Sequence, residues 1–203
     1  ASIRGYNNTY DSIQFTKLKS NFEIDFTVKG KASDFVTLPE DFAPRFVESN
    51  GRYFFTFFNS QGSSTGLKVL EVTSQAIKTL STVSQFAGCA PTREFCQPSG
   101  FAKLGDNYVL LAADGNIVFL DPGFNLINTD NLNRLNGIAL GFGEVVSSKQ
   151  FRFYKTSSDR LYFSGVVTVK NKSQLTLGYF TAGTNNPTSK VFDLGTEIIS
   201  HNS

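Results

Sequence analysis

The sequence predicts an all-β fold, read most specifically as a β-propeller-like ring of about four blades. A pattern of short apolar strand, tight polar turn, longer apolar strand, polar loop and third apolar strand occurs three times. Its turns lie at Asn50-Gly51, Gly105-Asp106 and Ser158-Asp159, and aligning Gly51, Asp106 and Asp159 gives steps of 55 and 53 residues. A four-stranded propeller blade takes roughly 40–50 residues, close to that period. Helical periodicity is thin: no window keeps apolar residues at helical spacing for more than about two turns.

Taken in order, the N-terminal part offers strands at 12–16, 22–28 and 35–38 with no obvious strand before them. The first repeat follows with strands at 45–49, 53–58 and 67–72, and a weaker fourth at 76–80. The second has 101–104, 107–111, 117–120 and 124–128, and the third 151–154, 161–163, 175–180 and 190–194. These runs are rich in Val, Leu, Phe, Tyr and Thr and are bounded by Gly, Asn, Asp or Ser. That is the strand-and-hairpin signature, since Asn-Gly and Asp-Gly tolerate the positive φ of a two-residue turn. Nearly continuous apolar runs such as 53–58 point to strands covered on both faces. The best helical window is 130–140, with Asp130 as a candidate N-cap, and it reads as one helical turn or an irregular loop between repeats.

A spare strand at 196–199 completes the count. With the three N-terminal strands it makes one blade shared by the chain ends, which would remove exposed sheet edges. The expected organisation is a single all-β domain over 1–203, with blades at 1–43 plus 195–203, 44–88, 98–140 and 148–194. The alternative architecture is a β-sandwich, in which regular turns also separate short strands. A fragment of a larger propeller is a further reading.

Composition narrows the function classes. A formal net charge of +2 with interspersed signs gives no clustered basic face for nucleic acid. Lys17 and Lys19, and Lys29 and Lys31, alternate as one solvated strand face would. The longest apolar run, 108–113, is far short of the roughly 20 residues of a membrane-spanning helix. The chain has 21 Phe but no Met or Trp and begins at Ala, which fits a start left by signal-peptide cleavage.

Cys89 and Cys96 are the only cysteines. Their spacing suits neither a structural zinc site nor a C-x-x-C redox motif, so a local disulfide is expected, with an oxidising compartment. Asn7 and Asn171 open glycosylation sequons, Asn7-Asn8-Thr9 and Asn171-Lys172-Ser173. Together these point to a secreted or cell-surface glycoprotein.

Chemistry is sparse. His201 is the only histidine and stands near the end of the sequence, where a surface role is expected. Paired carboxylates for glycoside hydrolysis would come from Asp11, Asp25, Asp114 and Asp121. Asp114 is already explained by its Asp-Gly turn, Asp121 by the strand end before Pro122, and Asp25 by strand alternation. Gly141-Phe142-Gly143 lacks the third glycine and the following helix of a dinucleotide loop. Asn125 to Asn136 lacks the aspartate pattern of a calcium loop. No cofactor or metal is expected, and an enzyme is the less favoured class.

Binding remains. Aromatics beside amides suit sugar rings, whose apolar faces stack while amides take the hydroxyls. Tyr6, Asn8 and Tyr10 have that composition, as do Phe58, Asn59 and Gln61. The expected function is an extracellular binding or adhesion module holding a glycan or protein at loops on one rim. The alternative is a structural subunit of a surface layer, capsid or filament, self-associating through Phe-rich strands. A carbohydrate-active hydrolase comes third.

Overall fold

A computed structural model describes residues 2–6, 9–34, 45–59, 66–83, 98–112, 115–132, 152–155, 159–169 and 172–194. The chain divides into two compact units, residues 1–85 and 86–203.

Unit 1 holds two antiparallel sheets. The first consists of β1 (Ser2–Tyr6), β2 (Thr9–Leu18) and β3 (Ile24–Lys31), followed by a 3-10 turn at Ala32–Asp34. The second is a meander of β4 (Arg45–Ser49), β5 (Arg52–Asn59), β6 (Gly66–Val72) and β7 (Ile77–Val83). Asn50 (φ 55°) and Gly51 (φ 75°) form the two-residue turn between β4 and β5, closed by the Ser49–Arg52 pair. The Gly51 amide also donates to the Glu48 carboxylate at 2.8 Å. Ile13, Phe15 and Val28 of the first sheet pack on Phe57, Leu70 and Val72 of the second.

Unit 2 repeats the plan with two four-stranded meanders. One runs β8 (Pro98–Leu104), β9 (Asn107–Ala112), β10 (Asn116–Leu120) and β11 (Leu126–Asn131). The other runs β12 (Arg152–Lys155), β13 (Arg160–Val169), β14 (Lys172–Thr181) and β15 (Thr188–Asp193). Val109, Leu111, Ile117 and Phe119 of one sheet share a core with Leu161, Phe163 and Phe180 of the other. Strands β6 and β10 are buried along nearly their whole length; the burial of β10 matches its continuous apolar run 117–120, whereas β6 is buried despite carrying Lys68 and Glu71.

The propeller expectation is corrected by these sheets. Each of the three repeats folds as one antiparallel meander, but among the described residues none of the four sheets is closed into a propeller or barrel. Sheets pack face to face within each unit, as open sandwich-like layers. The physical reason is that a period of about 50 residues sets the size of a sheet and not its closure. A four-stranded meander with apolar faces satisfies either architecture. The strands expected at 35–38 and 196–199, and with them the shared closing blade, lie outside the described residues.

Two smaller readings also change. Asp130 is no helix N-cap: it lies in β11, opposite Ile117, and its carboxylate accepts the Asn131 amide at 2.7 Å. The disulfide expectation gains no structural support and is withdrawn. Cys89 and Cys96 lie outside the described residues, which contain no cysteine and hence no disulfide.

Candidate functional site

The open end of the unit 1 core is a candidate site built from described residues. Inward positions of β2 and β3 alternate as Phe15, Lys17 and Phe26, Val28, while β5 contributes Tyr53 and Phe55. Phe46 of β4 stands directly opposite Phe55 in register, and the rings stack with centroids 5.7 Å apart. Phe55 in turn meets Phe15 at 4.3 Å, and Tyr53 meets Phe26 at 6.4 Å. Deep in the unit these rings are covered. Toward β4 they are not: Phe46 is 57% exposed, and a groove of about 390 Å³ opens among Phe15, Phe26, Phe46, Tyr53 and Phe55.

Lys17 supplies the groove's charge. Its ammonium pairs with Asp25 at 2.5 Å and lies 5.0 Å from the Tyr53 ring centroid. The hydrogen bond to Asp25, followed by that to Tyr53, raises its pKa above the ordinary lysine value, so it stays cationic throughout the neutral range.

Beside the groove is the β2–β3 hairpin tip, and Leu18 belongs to both. The Lys19 amide donates to the Glu23 carbonyl at 2.8 Å and the Phe22 amide to the Lys19 carbonyl at 3.0 Å. That pattern is a tight turn followed by a bulge residue in the left-handed region, a position suited to glycine or asparagine. Phe22 occupies it at φ 66° and is 82% exposed. Leu18 and Ile24 flank it at 50% and 63% exposure.

An internal control stands in unit 2. The β10–β11 turn has the same two hydrogen bonds, Asp121 amide to Asn125 carbonyl and Phe124 amide to Asp121 carbonyl, both 2.9 Å. Phe124 takes the same bulge position at φ 64°, but its ring is buried and stacked on Tyr108 at 4.5 Å. Burial there offsets the roughly 1–2 kcal/mol that a left-handed backbone costs a residue with a Cβ. Phe22 has the same backbone with little burial in return.

Away from the groove, Arg52 Nε donates to Glu71 Oε1 at 2.6 Å. This hydrogen bond holds the Glu71 carboxyl below its usual pKa. A depressed folded pKa stabilises above the unfolded value, and that contribution is lost as pH falls through the folded value. In acid denaturation series, wild-type stability should therefore fall below about pH 4.5, and Glu71→Gln should flatten that fall while lowering stability at pH 7.

The residues expected from sequence to bind fall elsewhere. Tyr6 and Tyr10 lie on the two strands of the β1–β2 hairpin, opposite Thr9 and Gly5 respectively. Phe58 and Asn59 end β5, opposite Leu67 and Gly66. Asn8 and Gln61 lie outside the described residues, as do the sequon residues Asn7 and Asn171 and the lone His201. Of the carboxylates, Asp25 pairs with Lys17, and Asp121 is held by the Asn125 amide and side chain at 2.8 and 2.9 Å. Asp11 lies in β2, and Asp114 lies outside the described residues. Among the described residues no group of three His, Cys, Asp or Glu could hold a metal. No helix among them is long and apolar enough to cross a membrane.

Sequence reasoning missed the groove because its rings are spread over four strands. It missed the tip because Phe22 reads as the first residue of the strand 22–28. The readable signal was Ser20-Asn21 before it, two turn-forming residues followed by a ring. No family model matches the chain, and no curated protein matches its sequence.

Proposed function

We propose that the protein is a structural subunit that associates with copies of itself through the unit 1 tip and groove. The observation that carries this reading is Phe22, an exposed ring held on an unfavourable backbone at a hairpin tip. Strained backbone of this kind clusters at functional sites. The tip is a knob, and the aromatic groove is a cavity of suitable chemistry on the same unit. A surface that carries both can pair reciprocally or propagate from copy to copy.

Magnitudes support the reading. Phe22, Phe46, Ile24 and Leu18 together present on the order of 400 Å² of apolar surface, about half of one side of a standard interface. Exposed apolar area of that order, divided between the hairpin tip and the groove, is in the range that is often functional. The adhesion alternative has no described cleft behind it, since the side chains of the amide-flanked aromatics proposed for glycans lie outside what is described.

Light scattering on the full chain across a concentration series tests the proposal. The expected mass rises above that of one chain at micromolar concentration. A strictly monomeric mass up to about 100 μM, where even weak encounters with Kd near that value would show, contradicts it.

A further inference from the structure

A second surface, in unit 2, carries an independent inference. By register, Tyr154, Tyr162, Tyr179 and Thr188 form one row across all four strands of the β12–β15 sheet. The neighbouring row on that face is Arg152, Ser164, Leu177 and Lys190, and beyond the tyrosines on the other side come Arg160 and Thr181. The opposite face, with Leu161, Phe163 and Phe180, packs into the core. The tyrosine face is open: Tyr154 is 51% exposed, and a groove of about 590 Å³ runs over Tyr154, Tyr162, Tyr179, Ser164 and Lys190.

The chemistry of this face is consistent along its length. Tyr162 and Tyr179 lie with centroids 5.4 Å apart, and three strands at about 4.8 Å spacing stretch the row over roughly 10 Å, comparable to a disaccharide. Ser164 and Tyr154 hydroxyls lie 3.5 Å apart, and Thr188 adds another hydroxyl at the far end. Arg160 stacks on Tyr179, 4.9 Å from its centroid, which presents the planar guanidinium beside the row. Arg152, Arg160 and Lys190 form no ion pair with a carboxylate among the described residues. No described position in these rows is acidic: Asp193 falls on the opposite face, and Asp159, exposed at the edge beside Arg160, is the one carboxylate whose charge acts on that guanidinium.

We propose that this face is a binding site for an anionic saccharide, with the tyrosine row stacking sugar rings and Arg160, Arg152 and Lys190 pairing with carboxylate or sulfate groups. Stacking surface, hydroxyl partners and a border in which Arg152, Arg160 and Lys190 outnumber the single edge carboxylate Asp159 are what such a ligand requires. The occupant favoured over a single-stranded nucleic acid is the saccharide. The rings are tilted by 43° and fringed with hydroxyls, not laid as a parallel platform for successive bases.

Biolayer interferometry on the full chain tests this with four probes: an oligouronate, sulfated dextran, neutral dextran and poly(U). At least one of the two anionic saccharides should bind ten-fold or more tightly than neutral dextran, and their ranking identifies carboxylate or sulfate as the anion. Arg160→Gln combined with Lys190→Gln, both at exposed positions, should weaken that binding at least ten-fold. Tyr179→Ala should do the same, and Tyr179→Phe should retain most of the affinity, which non-specific charge attraction would not produce. The proposal is overturned if neither anionic saccharide binds, if either the charge variant or Tyr179→Ala binds as wild type, or if poly(U) binds more tightly than both saccharides.

Discussion

Replacing Phe180 with alanine is expected to destabilise unit 2 by roughly 3–5 kcal/mol, read as a lower midpoint in urea unfolding. Phe180 is fully buried on β14 between the two sheets of the unit. Its ring meets Phe119 of β10 edge-on at 5.5 Å and Phe163 of β13 at 5.4 Å. The deletion thus removes contacts to both layers at once, and the neighbouring rings are too large to collapse fully into the space. Added to the lost transfer energy, the residual cavity places the change at the upper end for core truncations. Against a typical total of about 5–15 kcal/mol, such a loss leaves the unit marginal. A change below about 1 kcal/mol would mean that the two sheets are not joined by this ring.

The second large effect is expected at Gly178, where alanine should cost about 2–3 kcal/mol. A Cβ on Gly178 would stand 2.6 Å from Phe163 Cζ and 2.7 Å from the backbone oxygen of Thr188. The first clash can be relieved by moving a ring, but the second is with the paired strand β15. Gly178 is opposite Ser189 in that pairing, so relief requires the strands to separate locally. Gly183 supplies the comparison. It has open space around its missing Cβ but lies at φ 80°, so Gly183→Ala should cost only the roughly 1 kcal/mol of a left-handed backbone. Combining Gly178→Ala with Phe163→Leu should recover part of the loss, and a double-mutant cycle measures how much of the clash is with the ring. If Gly178→Ala proves no more destabilising than Gly183→Ala, the close approach of β13, β14 and β15 is wrong.

The four-stranded sheets were legible because their signals are local. Asn50-Gly51 names its own turn, and the alternation around it sets the register that places Phe46 opposite Phe55. Closure was not legible, since apolar strand faces state that they are covered without stating by what. The site was missed for related reasons. Phe46 and Phe55 lie on one hairpin and Phe15 and Phe26 on another, and the two pairs converge only when the two sheets pack. The tyrosine row is of the same kind, because Tyr154, Tyr162 and Tyr179 align only once two hairpin registers are known. Phe22 shows a different failure. Its apolar side chain argues for a strand, while its backbone belongs to a turn in which glycine would be the easier choice.

That conflict is where the self-association account is most exposed. Phe22→Asn places a residue suited to the left-handed region at the same bulge and removes an 82% exposed ring. If the ring is kept for contact between copies, the variant should fold as well as wild type or up to about 1 kcal/mol better. It should also associate roughly 10- to 100-fold more weakly, the equivalent of leaving one phenylalanine unburied. Sedimentation equilibrium of the two proteins side by side, with a thermal melt of each, measures both quantities. Weaker association with undiminished stability is the predicted result; unchanged association would contradict the account.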